Sequence, residues 1–277
     1  MSWNVESLIP WLEPGTSRDL ARHVAALGDP QILCMQELRV RPRDHDLIAR
    51  MRALLPGYTC QFALCDDPRN VTYRGGRAYG VATYVRDTLR AIAATPEWDR
   101  EGRVLVTALP DLQLAVVNLY AVNGTAKAYV EPSTGEPHGD RHAYKRRFQD
   151  QVLTLAEELR ETADVVLAGD WNVSRAAIDV TPRLRTEEPH ATARAQLNER
   201  LAREHWIDIF RDRHPDARSY TWFGRSRTGR LDAARVDYLV ISEGLAARVE
   251  EATILEGPAL RPHSDHAPIA LDLDHDV

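Results

Sequence analysis

Asp164-Val165-Val166-Leu167-Ala168-Gly169-Asp170-Trp171-Asn172 is the stretch whose reading decides the fold. Val165 to Ala168 is a short, continuously apolar run, as expected of a strand buried on both faces. Gly169 lets the chain turn tightly. Asp170 and Asn172 follow at the strand's end, where open α/β sheets carry chemistry. Two residues apart, a carboxylate and a carboxamide address one centre if the chain stays extended. Taken alone, the segment reads more simply as a strand running into an Asx-rich turn.

Five further stretches change that balance. Trp3-Asn4-Val5 stands near the N-terminus, and Ile32 to Glu37 is another buried strand ending in a carboxylate. Asn118-Leu119-Tyr120-Ala121-Val122-Asn123-Gly124 follows, then Arg235-Val236-Asp237-Tyr238 at the head of an apolar strand. Ser264-Asp265-His266-Ala267-Pro268 comes last. In this order the six resemble the endonuclease/exonuclease/phosphatase superfamily, in the branch of exodeoxyribonuclease III and the abasic-site endonucleases. The resemblance runs from Trp3 to about Leu273.

Composition fits this. The chain has 277 residues, 44% apolar and 27% charged, as in globular proteins, and it can bury a large core. No apolar run approaches the roughly 18 residues of a membrane span, so no membrane partner is expected. Candidate site residues begin at Trp3, which leaves no room for a signal or transit peptide. Cys34, Cys60 and Cys65 lack metal-ligand spacing, and the expected location is the cytoplasm. The net charge of −6 argues against a protein that coats nucleic acid, but not against a nuclease that gathers carboxylates around a metal. Basic clusters occur at Arg39/Arg41/Arg43, Arg69/Arg74/Arg77, Lys145/Arg146/Arg147 and Arg225/Arg227/Arg230. Arg39, Arg74 and Arg77 are candidate phosphate contacts; a solvated surface is the plainer reading of any one cluster.

Along the chain, Ser2 to Val5 is a strand that starts almost at Met1, which leaves its pairing open to fraying. Thr16 to Leu27 is a helix with capping-box spacing at Thr16 and Asp19, and Asp44 to Leu55 is a second. Tyr58 to Leu64 and Tyr79 to Val85 are strands around a basic loop; Arg103 to Leu109 and Leu112 to Leu119 form a hairpin. Val122 to Ala143 has no period and is either functional or disordered. Tyr144 to Arg160 is the clearest helix, with Phe148, Val152, Leu155 and Leu159 on one face. Ser174 to Ala191 is a second long loop, and Ala193 to Glu204 a helix. Ser219 to Phe223, Val236 to Ser242, Ala246 to Leu255 and Ala267 to Leu273 are the last strands. Hairpins mixed with helices argue for two packed sheets with helices outside. The resemblance implies the same α/β fold, a four-layer α/β/β/α sandwich, and the whole chain reads as one domain, residues 1–277.

Cleaving a phosphate ester requires neutralised phosphoryl oxygens, an in-line nucleophile and help for the leaving oxygen. Mg2+ suits the first task, being hard and oxygen-seeking, with Mn2+ as a substitute. By resemblance, Glu37 and Asp265 are the metal ligands. Asp170 orients or deprotonates the attacking water, while Asn172 and Tyr120 hydrogen-bond phosphate oxygens. His266 meets the scissile phosphate with Asp237 on its other ring nitrogen, which favours the imidazolium. Asn4 touches a metal-bound water or places Asp170. His45 and His190 read as surface histidines. Trp222 matches an aromatic of the abasic-sugar pocket, whereas Ala234 stands where repair members carry another aromatic.

The leading expectation is a Mg2+-dependent phosphodiester hydrolase acting on DNA as a monomer, at abasic sites or 3′ ends. A phosphodiesterase or phosphatase of the same fold, acting on a small-molecule or lipid phosphate ester, is the first alternative. A binding protein that has lost catalysis is the second, and retention of the motif residues counts against it.

Overall fold

The Val165–Ala168 run becomes the interior of strand β10 (Asp164–Asp170). β7 (Leu114–Tyr120) pairs with it in parallel and β15 (Asp237–Ile241) antiparallel. The sheet is completed by β12 (Ile207–Asp208), β6 (Val104–Leu109) and β5 (Ile92–Ala94), in the order β12-β15-β10-β7-β6-β5. A second six-stranded sheet has the order β16-β17-β1-β2-β4-β3. Its strands are β16 (Val249–Ile254), β17 (Ile269–Leu273), β1 (Ser2–Asn4), β2 (Ile32–Gln36), β4 (Gly80–Arg86) and β3 (Tyr58–Leu64). The structure, a computed structural model, describes residues 1–67, 69–70, 79–225, 229, 231–255 and 263–274.

Strand alternation sorts side chains between the layers. Val165 and Leu167 pack outward on Phe148 and Val152 of α4 (Arg141–Arg160) and on Leu197 and Leu201 of α5 (His190–Arg203). Val166 and Ala168 point inward, where they meet Cys34, Val85 and Ile269 of the other sheet. On β2 the pattern repeats: Cys34 faces the partner sheet, while Leu33 and Met35 face Trp11 of α1 (Ile9–Leu12), Val24 of α2 (Leu20–Ala26) and Met51 of α3 (His45–Arg52). The result is the expected four-layer α/β/β/α sandwich. Among the described residues no helix is long and apolar enough to cross a membrane.

Several local expectations change. β1 is not frayed: it lies between β17 and β2, fully buried. The helix expected from Thr16 starts at Leu20, because Asp19 is its N-cap and accepts from the Arg22 amide at 2.9 Å. Thr16 instead turns the preceding loop, donating to Pro10 O and accepting from Arg18 N. The Val122 to Ala143 segment is ordered. It holds the hairpin of β8 (Ala128–Val130) and β9 (Pro137–Asp140), and α4 begins at Arg141 on an Asp140 cap. Asn70 clamps this hairpin through both the N–H and the C=O of Val130. The Ser174 to Ala191 loop contains β11 (Val180–Thr181), which joins β14 (Leu231–Ala234) and β13 (Trp222–Arg225) in a small third sheet. The strand expected from Ser219 thus starts at Trp222. The one expected from Ala246 starts at Val249, after a 3-10 turn over Glu243–Arg248.

Candidate active site

Tyr120, Asp170 and Asp237 are brought together by register alone. They are cross-strand neighbours at the ends of β7, β10 and β15, with Asp170 opposite both of the others. Gly169 makes this close pairing possible. Its φ is +150°, and a Cβ there would stand 1.9 Å from Leu119 O. The other sheet contributes Asn4 at the end of β1 and Glu37 just past β2. Across the sandwich, the Asn4 side-chain amide donates to Asp170 Oδ2 at 3.1 Å. Of the two tasks expected of Asn4, the geometry displays the placing of Asp170.

The chain does not stay extended between Asp170 and Asn172. Asn172 has φ +52°, a left-handed conformation that Asn tolerates well. Its backbone N–H donates to Asp170 Oδ1 at 2.8 Å, and its side-chain amide to Ala121 O at 2.9 Å and Asp170 Oδ2 at 3.3 Å. Glu37 has φ +62°, a conformation uncommon for Glu and strained. The Tyr120 hydroxyl donates to Glu37 Oε1 at 2.8 Å, and an Arg39 nitrogen lies 3.6 Å from that oxygen.

His266 is buried and doubly located. Its Nδ1 lies 2.8 Å from Asp237 Oδ2, and its Nε2 is 4.0 Å from both Asp170 Oδ2 and Asp265 Oδ1. Its backbone is pinned as well. The amide donates to Ser264 Oγ, which donates to Asn4 O, and the carbonyl accepts from Trp3 Nε1. Burial works against the imidazolium, but the Asp237 carboxylate more than offsets it and holds the pKa up at about 10. The Asp170 pKa is raised too, which for a carboxyl favours the neutral form. Burial, then the neighbouring Asp237 charge, raise it to about 7, against the help of His266 and the Asn172 N–H. A carboxylate poised near neutrality beside an imidazolium can take a proton from one reactant and stabilise negative charge on another.

Glu37, Tyr120, Asp170, Trp222, Asp265 and His266 line one cavity of about 400 Å³. Asp265 Oδ2 accepts from Trp222 Nε1 at 2.9 Å, whereas the buried Oδ1 has no hydrogen-bond partner. This orphaned carboxylate oxygen and the carboxylate of Glu37 line the same cavity and are the oxygen ligands that a hard divalent cation takes. Asp170, Asp237 and His266 also lie within 4.8 Å of one another and are geometrically able to hold an ion. An imidazolium has no lone pair to give a metal, so that trio suits proton transfer better.

Trp222 lines the cavity, with Ala234 its cross-strand partner. Arg74 and Arg77 lie outside the described residues. Sequence reasoning placed Lys145 in a basic cluster but missed the rest of a basic wall that it forms with Arg183, Arg185 and Arg194 along the cavity. His190, half-buried, lines the cavity too, and burial together with the nearby Arg185 and Lys145 lowers its pKa, so it adds no charge there. Lys145 is not a solvated surface cation: it is buried, donates to Asn172 O at 2.7 Å, and has a pKa lowered to about 8 by burial, partly offset by Asp170. Its position was readable, because Lys145 lies three residues before Phe148 and seven before Val152, on the buried stripe of α4.

Known proteins share this architecture. An exodeoxyribonuclease from Bacillus subtilis (strain 168) is 26% identical over 98% of this chain and 97% of its own. The AP endonuclease LMAP from Leishmania major superposes with a TM-score of 0.74 at 25% identity, over 99% of this chain and 86% of that one. The 3′ phosphatase NExo from Neisseria, solved with a product DNA hairpin, gives 0.73 at 24% identity, over 99% and 98%. The sequence profile described as Endonuclease/Exonuclease/phosphatase family matches residues 1–266, a span that runs through Asn4 at one end and closes on His266 at the other. The chain therefore belongs to the endonuclease/exonuclease/phosphatase family.

Proposed function

We propose that this chain is a Mg2+-dependent phosphodiester hydrolase acting on DNA. The observation that carries the reading is the opposition of His266 Nε2 and Asp170 Oδ2 at 4.0 Å, in a cavity that also holds Glu37 and Asp265. Asp170, held by Asn4 and Asn172, orients the attacking water and takes its proton. His266, kept cationic by Asp237, donates to a phosphoryl oxygen as charge develops. Asn172 and Tyr120 act on the carboxylates: the Asn172 N–H groups hold Asp170, and the single Tyr120 hydroxyl proton is committed to Glu37 rather than to a phosphate oxygen. Glu37 and Asp265 would hold Mg2+, which when bound supplies charge neutralisation on the phosphoryl oxygens.

DNA is favoured because the relatives are named for it: an exodeoxyribonuclease, and a phosphatase solved with a DNA hairpin. The basic wall of Lys145, Arg183, Arg185 and Arg194 supports a polyanionic substrate. The Trp222–Ala234 pair favours a second reading, a small phosphate ester, because an alanine stands where a second aromatic would enclose an abasic sugar.

The test is purified protein with Mg2+ on abasic and undamaged oligonucleotides and on a panel of small phosphate esters, at several salt concentrations. DNA cleavage whose binding constant falls with a log-log slope of about −0.9 per phosphate contact supports the reading. Salt-insensitive DNA binding with efficient turnover of a small ester would replace it with the second.

A further inference from the structure

Beneath Tyr120 lies a buried ionic network that the chemistry above does not use. Arg103 and Glu101 are each about 1% exposed and paired at 2.5 Å through Arg103 Nε. Arg141, at the start of α4, closes on the same carboxylate with two bonds of 2.7 and 2.8 Å. Burial alone would push the Glu101 carboxyl up, and the two guanidinium groups instead hold it below the ordinary range. Gly102 sits between them at φ +64°, with the Leu64–Cys65 backbone where a Cβ would go. Asp99 accepts the Arg103 and Val104 amides at 2.6 and 2.7 Å.

A buried network of this kind is a poor way to obtain stability, since well-packed apolar side chains serve as well or better. What distinguishes Arg103 is its upper face. Its Nη1 donates to Tyr120 O at 2.9 Å and Ala121 O at 3.3 Å, and the Tyr120 amide donates back to Arg103 O at 2.8 Å. Its guanidinium carbon lies 4.8 Å from the Tyr120 ring centre and 3.9 Å from that of Tyr79, and the two rings meet edge to face at 5.2 Å. The Tyr120 backbone and ring are thus both fixed by one side chain. The Tyr120 hydroxyl in turn donates to Glu37, whose backbone is strained and whose carboxylate needs outside support to keep one orientation.

We propose that Arg103 is a positioning residue for the cation-binding carboxylate, acting through Tyr120 on Glu37. The proposal rests on the reading of Glu37 as a cation ligand. A planar guanidinium lies flat against a ring and bonds two carbonyls together, whereas a lysine ammonium cannot do both. The cation under the ring also strengthens the phenol as a donor.

Mn2+ binding to the full-length protein, followed by electron paramagnetic resonance, separates this from a structural role. Arg103→Lys and Arg103→Gln should each weaken Mn2+ binding by about tenfold or more, as loss of a ligand's outer support does. Both leave Glu101 neutralised by Arg141, so either folded variant decides the question. Tyr120→Phe should weaken binding to a similar degree, and adding Arg103→Lys to it should bring little further loss. Arg141→Lys breaks the same network without touching Tyr120, and should lower the melting temperature while leaving Mn2+ affinity as in the wild type. Equal losses from Arg103→Lys in the wild-type and Tyr120→Phe backgrounds, or unchanged affinity in both Arg103 variants, would overturn the proposal. Absence of Mn2+ binding by the wild type would overturn the cation reading first and this inference with it.

Discussion

Asp170 and Asp237 are cross-strand partners, both almost fully buried, and only Asp237 lies within hydrogen-bond distance of His266. Two adjacent buried carboxylates repel, and one imidazolium cannot serve both equally. The pair therefore divides: Asp237 stays with the histidine and Asp170 is pushed towards protonation.

That division gives a stability signature. The folded-state pKa of Asp170, about 7, lies above the unfolded value of about 3.9, so its contribution is fully present at low pH and lost as pH rises through 7. Asp170→Asn removes this loss. The variant should match or exceed the wild-type melting temperature at alkaline pH, gain least in acid, and lose about 10²–10⁴-fold in turnover. Calorimetry across pH, beside a rate assay, checks both; an unfolded variant or a near-normal rate contradicts the role.

Turnover should depend on pH through the same groups. Asp170 must be ionised and His266 protonated, so the rate should rise through about 7 and fall approaching about 10. Asp237→Asn withdraws the charge that holds His266 up, and the alkaline limb should move to lower pH. An alkaline limb that stays in place in the variant would remove His266 from the assignment.

Asp237 and His266 should also behave as one unit. His266→Ala should lose about 10²–10⁴-fold, and combining it with Asp237→Asn should add little. Fully multiplicative losses in that cycle would show two independent actions.

Chelation should abolish turnover, and Mg2+ or Mn2+ should restore it. Asp265→Asn retains an acceptor for Trp222 Nε1 but replaces a carboxylate with a neutral group, so it should raise the Mn2+ concentration needed for half-maximal rate. Full activity in excess chelator is the outcome that excludes the cation.

Gly169→Ala tests the fold. A Cβ 1.9 Å from Leu119 O cannot be relieved by a rotamer change, and the residue sits at φ +150°. The expected cost is more than about 4 kcal/mol, seen as failure to fold or a large drop in denaturation midpoint. A loss under about 1 kcal/mol would mean that β7 and β10 can separate there.

The layered fold was legible in sequence where strands are buried on both faces. Val165 to Ala168 and Ile32 to Gln36 read as apolar runs because both sides of each strand are covered. The hairpin at Ala128–Val130 and Pro137–Asp140 was not legible, since it is polar, partly exposed and held by Asn70, some 60 residues away. β14 escaped for a similar reason: Leu231-Asp232-Ala233-Ala234 gains its order from pairing with Trp222–Arg225. Of the site, the candidate residues were readable because each motif abuts a strand, at its end for Asn4, Glu37, Tyr120 and Asp170, at its start for Asp237 and ahead of its start for His266. The basic wall was not, because Arg185 and Arg194 sit on a loop and a helix with no periodic link to the cavity.

The hydrogen bonds that close the site tie the first strand to distant parts of the chain. Asn4 meets Asp170 across 166 residues, Ser264 meets Asn4 across 260, and Trp3 meets His266 across 263. Synthesis delivers these partners in sequence order. A growing chain that has emerged as far as β16 carries Asn4, Glu37 and Asp170 but no imidazole to oppose them. On the proposed assignment, hydrolytic capacity arrives with the closing strand, and a chain cut short before Ser264 should not hydrolyse DNA.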